Sequence, residues 1–287
     1  MDMRIELKDV SANYQIGPIR KPNILNSLNL TIESGTFTAL IGRTGAGKSS
    51  LLKILNGLLL PTKGSIRIGE TMIESPIQKE NIRKIRKQVG MVFQFPESQL
   101  FAETVEKDIC FGPLNFGVSL EEAKEKAAQV IELVGLEQSV LSKSPFSLSG
   151  GQKRRVAIAG ILAMEPSVLV LDEPGAGLDP QGKKEIMSLL ATWHKQASLT
   201  TILVTHDMED VALFADQVIL MDQGKIIKSD KTKMIFSDPA LLESWGLEMP
   251  QARYYQMKIE QETGIKLPRV CLTLDELADA LVSVGLV

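Results

Sequence analysis

At 287 residues the chain has room for one large domain with a smaller appendage, or for two modest domains. A composition of 44% hydrophobic and 23% charged residues is that of a globular chain, and a formal net charge of −3 argues against a dedicated nucleic-acid binder. Cys110 and Cys271 make neither a metal cluster nor a disulfide framework, which points to a reducing cytoplasm. The stretch Met1–Glu6 carries acidic residues where a signal peptide has its apolar centre, and no uncharged apolar run approaches the roughly 18 residues of a spanning helix.

Residues 4–10 alternate apolar and polar, the pattern of a half-buried strand, and Tyr14 is expected in the loop that follows. A tyrosine there is either a packing residue or a platform for a flat ring. Residues 28–32 alternate again, and Glu33-Ser34-Gly35 turns the chain into the apolar strand Thr36–Ile41. That strand ends at Gly42-Arg43-Thr44-Gly45-Ala46-Gly47-Lys48-Ser49, which fits G-x-x-x-x-G-K-[ST] without a mismatch. From Ser50 the apolar residues recur at helical spacing until Gly57. Strand, glycine loop and helix start turn backbone N–H groups and the helix terminus toward a phosphate. Lys48 is expected on the outer phosphates and Ser49 on a magnesium ion, so the stretch implies a nucleoside triphosphate.

Residues 60–64 read as a turn, 65–68 as a strand, and 78–87 as a Lys- and Arg-rich helix with a solvated face. Val89–Phe93 forms a strand ending at Gln94. The next seven residues place Phe95, Leu100 and Phe101 in a loop, either tucked under its neighbours or exposed as a docking patch for a partner helix. Helices are expected over 104–117 and 119–134, the second opened by a Ser119/Glu122 capping box, and over 153–164 after Leu148-Ser149-Gly150-Gly151-Gln152. The buried strand 168–171 delivers Asp172 and Glu173 at its C-terminal end, where open α/β sheets place their chemistry. After a helix at 180–196, the strand 201–204 delivers Thr205-His206-Asp207, and a hairpin around Gly224 closes the sheet. Breakers then separate short helical runs, which divides the chain into 1–239 and a small helical unit at 240–287.

Asp172 suits a water-mediated magnesium site, and Glu173, pointing to the other side of the strand, suits polarising an attacking water. His206 can bridge a terminal phosphate and Glu173, while the Gln94 amide can ligand magnesium or orient water. Ser149, Gly150 and Gly151 make a second anion-binding nest at a helix start. In a head-to-tail dimer, each nest would close over the triphosphate held by the other subunit.

The ordered set Gly42–Ser49, Gln94, Leu148–Gln152, Asp172-Glu173, Asp179 and His206 resembles the nucleotide-binding subunit of ATP-binding cassette (ABC) transporters over about residues 4–235. The resemblance implies an α/β fold with a RecA-like phosphate-loop core, an antiparallel β subdomain, a helical subdomain at about 95–165 and a small C-terminal helical domain. It implies ATP and Mg²⁺, with Tyr14 on adenine, residues 42–50 through Ser50 around the phosphates, and Ser49, Gln94 and Asp172 at the metal. Lys48, Gln94, Glu173 and His206 would form the catalytic set, while Ser149, Gly150, Gly151, Gln152 and Asp179 would complete the site across a dimer. Phe93–Phe101, Phe111-Gly112-Pro113 and Arg154–Gly160 are similar to the energy-coupling factor importers, closest to the second of their two paralogous ATPases. That likeness implies a subunit at the cytoplasmic face of the membrane, powering uptake of vitamins or other micronutrients. Its partners would be a paralogous ATPase (or a second copy), a transmembrane coupling subunit docking near Phe95, Leu100 and Phe101, and membrane substrate-binding subunits, with no nucleic acid. The alternatives are an ATPase dedicated to cobalt, nickel or another import system, and a soluble ABC-type ATPase acting on DNA or ribosomes. Gly175 departs from the family pattern, where Thr is usual.

Overall fold

A computed structural model describes residues 2–16, 19–74 and 78–286. The chain opens with a long antiparallel hairpin, β1 (Ile5–Ile16) and β2 (Ile19–Ile32). Alternation marks only part of each strand because bulges break it. Asp9 and Ser27 take left-handed φ values of 51° and 49°, and the pairing register slips between Leu7 and Val10. Tyr14 therefore lies on β1, opposite Lys21, and not in a loop. Further along come β3 (Phe37–Ile41), α1 (Lys48–Leu55), β4 (Lys63–Ile68) and β5 (Thr71–Glu74). The four-residue β5 carries too few residues to show a period of its own.

The chain continues through α2 (Lys79–Gln88), β6 (Val89–Val92), α3 (Val105–Asn115), α4 (Leu120–Leu133) and α5 (Gly150–Leu162). After these come β7 (Val168–Asp172), α6 (Pro180–Ala197), β8 (Thr200–Val204), α7 (Met208–Phe214), β9 (Gln217–Asp222) and β10 (Lys225–Lys231). The last helices are α8 (Thr232–Phe236), α9 (Pro239–Trp245), α10 (Gln251–Thr263) and α11 (Leu274–Ser283).

Two sheets result. One is antiparallel in the order β2-β1-β4-β5, and the other runs β10-β9-β3-β8-β7-β6 with all strands parallel except the edge strand β10. Helix α1 fills the space between them. Its Leu51, Leu52, Ile54 and Leu55 share one core with Leu28 and Ile66 of the first sheet and Val170 and Ile202 of the second. Each such side chain contributes about 1.5–3 kcal/mol on burial, so the phosphate-loop helix is anchored at both faces. Leu169, Leu171 and Leu203 face the other way, onto Ile109, Ile131, Ile158 and Leu190 of α3, α4, α5 and α6.

The C-terminal helices have a small core of Ala252, Leu267, Cys271, Leu277 and Ala280. Leu242 and Leu272 pack instead with Ile41, Val218 and Phe236, which tie the tail to the sheet. The only two cysteines, Cys110 and Cys271, are buried and free.

Behind the sheet, His194 of α6 is 9% exposed, sits 3.0 Å from Thr201 Oγ1 and meets the Phe37 ring edge-on. Burial pushes its pKa down, against a smaller upward pull from Asp216, so the native imidazole takes up a proton less readily than a free one. The unfolded chain takes up a proton near the ordinary value of about 6.5, so stability is full above that pH and falls below it. The loss is at most about 1.4 kcal/mol per pH unit. Denaturant midpoints at pH 7.5 and 5.5 check this: His194→Gln is expected to show a smaller drop than the parent, and equal drops would remove His194 as the cause.

Candidate functional site

The left-handed backbone that the phosphate loop needs is supplied by glycine. Gly42 and Gly47 have φ values of 142° and 103°. A Cβ on Gly42 would collide with the Met221 carbonyl, and one on Gly47 would sit 3.1 Å from the Ile24 carbonyl oxygen. The Lys48 ammonium donates to the carbonyls of Gly42 at 2.7 Å and Arg43 at 3.0 Å, which curls the loop around it. Burial pushes the Lys48 pKa down, while Glu173 and Asp172 pull it back up. The hairpin turn at Gln223-Gly224 braces the loop from behind, with the Gly224 N–H donating to the Ala46 carbonyl at 2.9 Å.

A cleft of about 720 Å³ opens over this loop. Tyr14, Thr44 through Ser50, Gln94, Glu173 and His206 line it, together with Ile24, Val204, Gln223 and Gly224. The Gln-Gly hairpin signal was legible as a turn, but nothing in the sequence placed it beside the phosphate loop. Tyr14 carries the Lys53 ammonium 5.6 Å above its ring. Arg43 points elsewhere, with its guanidinium 5.8 Å from the ring of Trp245 on α9.

Ser49 Oγ donates to Asp172 Oδ1 at 3.2 Å. Burial raises the Asp172 pKa, the Ser49 hydrogen bond opposes it, and the Glu173 charge adds to it. A hydroxyl and one carboxylate beside a phosphate loop fit magnesium, which takes one or two carboxylates alongside phosphate oxygens and water. Among the described residues no group of three or more His, Cys, Asp and Glu offers an all-protein cage.

Glu173 leaves β7 with φ 49°, a left-handed conformation that costs a non-glycine residue on the order of 1–2 kcal/mol. Its N–H donates to the Val204 carbonyl at 3.0 Å, which holds the strained residue against the end of β8. This turn, more than strand alternation, separates the two carboxylates. Asp172 goes to Ser49, while Glu173 accepts from Gln94 Nε2 at 3.1 Å and lies 3.4 Å from His206 Nδ1. Lys48, Ser49, Gln94, Asp172, Glu173 and His206, six residues spread along the chain, thus meet in one place.

The second nest lies apart from that cleft. Ser149 caps α5 in a reciprocal box, accepting from the Gln152 N–H at 3.3 Å while its own N–H donates to Gln152 Oε1 at 3.1 Å. The Gln152 side chain is engaged in that cap, and a Cβ on Gly150 or Gly151 would meet nothing within 4 Å. Asp179 likewise caps α6, accepting from Gly182 N–H at 2.7 Å. Ser149–Gln152 and Asp179 line no part of the cleft in their own chain.

Known proteins agree with this geometry. The ABC transporter family matches residues 25–176. A Bacillus cereus protein described as an energy-coupling factor transporter ATP-binding protein, EcfA2, is 50% identical over 98% of this chain and 96% of its own length. The chain is an ABC transporter ATPase of the energy-coupling factor group. A Geobacillus kaustophilus protein of the same description is 53% identical over 90% of this chain and 89% of its own. Among solved structures, the Clostridium perfringens CbiO1, described as part of an ABC transporter complex, has a TM-score of 0.73 at 34% identity, covering 92% of this chain and 100% of that one. A dimeric ATP-binding cassette in a post-hydrolysis state with ADP and Pi has a TM-score of 0.69 at 31% identity, covering 79% of this chain and 98% of that one. The α/β fold read from the sequence is thereby shown, and with it nucleotide binding and ATP hydrolysis in the service of import.

An ATPase of this group works with further subunits, and this one has an apolar face to offer. Phe95, Phe101, Phe111 and Leu114 are exposed, and the rings of Phe101 and Phe111 meet edge-on at 4.8 Å. Leu100 corrects the sequence reading. It is 8% exposed and packs with Val105, Ile109 and Val156, because Pro96–Gln99 coil into a 3₁₀ turn that points it inward. No helix among the described residues is long and apolar enough to cross a membrane.

Proposed function

We propose that the chain binds MgATP in the cleft above the phosphate loop and closes a dimer around it. Hydrolysis then drives uptake of vitamins or similar micronutrients, with the chain held peripherally at the cytoplasmic face of the membrane. The contact between Gln94 and Glu173 carries the reading, because Gln94 leads directly into the exposed Phe95. Lys48 and the loop N–H groups hold the phosphates, and Tyr14 offers its face to the base. Ser49 and Asp172 would hold magnesium, which supplies charge neutralisation at the phosphates. Glu173 polarises the attacking water, with Gln94 and His206 fixing its carboxylate from two sides.

Dimer closure follows from shared phosphate contacts. Lys48 of one protomer and the Ser149, Gly150 and Gly151 nest of the other both favour the anion, so ATP shifts the population toward the closed state. Phosphate release removes that preference. The exposed, unobstructed N-terminus of α5 and the Asp179 cap of α6 support this arrangement. The partner favoured is a paralogous ATPase.

The transmembrane coupling subunit docks on Phe95, Phe101 and Phe111, with membrane substrate-binding subunits recruited through it. The double variant Phe95→Glu, Phe101→Glu is expected to keep ATP binding but to lose co-purification with membrane subunits, and uptake with it. Uptake at the parental rate would remove this face from the docking role.

A further inference from the structure

Gly175 lies two residues after Glu173, and its surroundings account for a glycine there. Its backbone does not require glycine, since its φ lies outside the left-handed region. The space does. A Cβ at position 175 would stand 2.7 Å from Lys183 Cγ and 3.4 Å from Cδ. The glycine thus opens a passage for the Lys183 stem, which leaves the first turn of α6 and runs toward the segment after His206.

At the far end the Lys183 ammonium pairs with Asp207 and lies 2.9 Å from Asp210 Oδ2. Asp207 is the residue next to His206. It caps α7 by accepting from the Glu209 N–H at 2.8 Å, and its own N–H donates to Thr205 Oγ1 at 3.0 Å. At the near end, Lys183 N–H donates to the carbonyl of Asp179 at 2.9 Å. One lysine therefore spans the segment after Glu173, the Asp179 cap and the His206 turn. The His206 side chain is 81% exposed, so little packing of its own fixes it, and its placement depends on the turn beneath.

We infer that Lys183 is a positioning residue for ATP hydrolysis: passing through the gap at Gly175, it fastens the Thr205–Asp207 turn so that His206 faces Glu173. The inference rests on the proposed role of His206 and goes beyond it by naming what holds that residue. It also accounts for Gly175 and Lys183 as a coupled pair. Glycine at 175 is needed for the lysine and not for the backbone, so a β-carbon there acts at a distance by pushing the stem off its path.

Steady-state ATP hydrolysis by the assembled transporter, with kcat and KM separated, tests this in six variants. Lys183→Met keeps the stem and removes the ammonium; it is expected to lower kcat by about tenfold or more with KM for ATP within about twofold, as for a misplaced reacting group. Lys183→Arg restores the charge and is expected to recover most of that loss. Gly175→Ala is expected to mimic Lys183→Met, and the double variant to be no slower than either one. In a His206→Ala background, Lys183→Met is expected to cost nothing further. A parental kcat for Lys183→Met beside a slow His206→Ala overturns the role of Lys183 and leaves that of His206 standing. A parental kcat for His206→Ala overturns the role of His206 itself. A loss in Lys183→Met that Lys183→Arg fails to recover, with KM raised in step, assigns Lys183 to general stability and overturns the inference.

Discussion

Replacing Glu173 with Gln is expected to leave ATP affinity nearly unchanged and to lower turnover by about 10²–10⁴-fold, or roughly 3–5 kcal/mol of barrier. The substitution is close to isosteric and keeps an oxygen able to accept from Gln94 Nε2. What it removes is the charge that polarises water between Gln94 and His206. Loss of fold is not expected to confuse the result. Glu173 raises the pKa of neighbouring Asp172, a like-charge conflict that the amide relieves, so the variant should unfold at or above the parental midpoint. The left-handed φ of 49° is no harder for Gln than for Glu. Nucleotide titration and single-turnover hydrolysis on the same preparation separate the two effects. Turnover within threefold of the parent would take Glu173 out of the base role.

The parts of this site visible in the sequence are those whose chemistry forces a local pattern. The phosphate loop is legible because Gly42 and Gly47 adopt φ values closed to other residues, which pins glycine to fixed spacings. Asp172 is legible because β7 is buried on both faces and reads as an uninterrupted apolar run ending in acid. The sequence puts Tyr14 in a loop because bulges at Asp9 and Ser27 break the period that would extend the hairpin. The inward turn of Leu100 is not legible because a single 3₁₀ turn decides which way it points, and such turns leave no periodic trace. Contacts made by long polar side chains across the fold left no signal at all. Arg43 on Trp245, Lys183 on Asp207 and Arg154 on Glu97 are separated by between 24 and 202 positions, and each of the three cations alone reads as a surface charge.

The last of these contacts carries the largest expected effect on stability. Arg154 is 2% exposed, an unusual place for a guanidinium. It makes a fork on Glu97, with Nε to Oε2 at 2.9 Å and Nη2 to Oε1 at 2.7 Å, and its Nη1 donates to the carbonyls of Pro174 at 3.3 Å and Ala176 at 2.7 Å. The Phe95 ring covers it at 6.0 Å. Arg154→Ala leaves a carboxylate and two carbonyls without their donor, and is expected to cost about 3–5 kcal/mol, a large share of the roughly 5–15 kcal/mol that holds a domain folded. Glu97→Ala in the same background is expected to add little, because the partner it would orphan is already gone. Burial pushes the Glu97 carboxyl up, but hydrogen bonds and charge from Arg154 outweigh this and hold it below its ordinary value. The contribution of the pair is therefore full above the ordinary carboxylate range and is lost as pH falls through the lowered value. Arg154→Lys keeps a charge but cannot span Glu97 and both carbonyls, so it should fall between parent and Ala. Urea midpoints at constant m-value for the parent, Arg154→Ala, Glu97→Ala, the double variant and Arg154→Lys measure this. Additive losses in the double variant would mean that Arg154 and Glu97 act separately, and that the loop bearing Phe95 is not bound through this pair to the segment that follows Glu173.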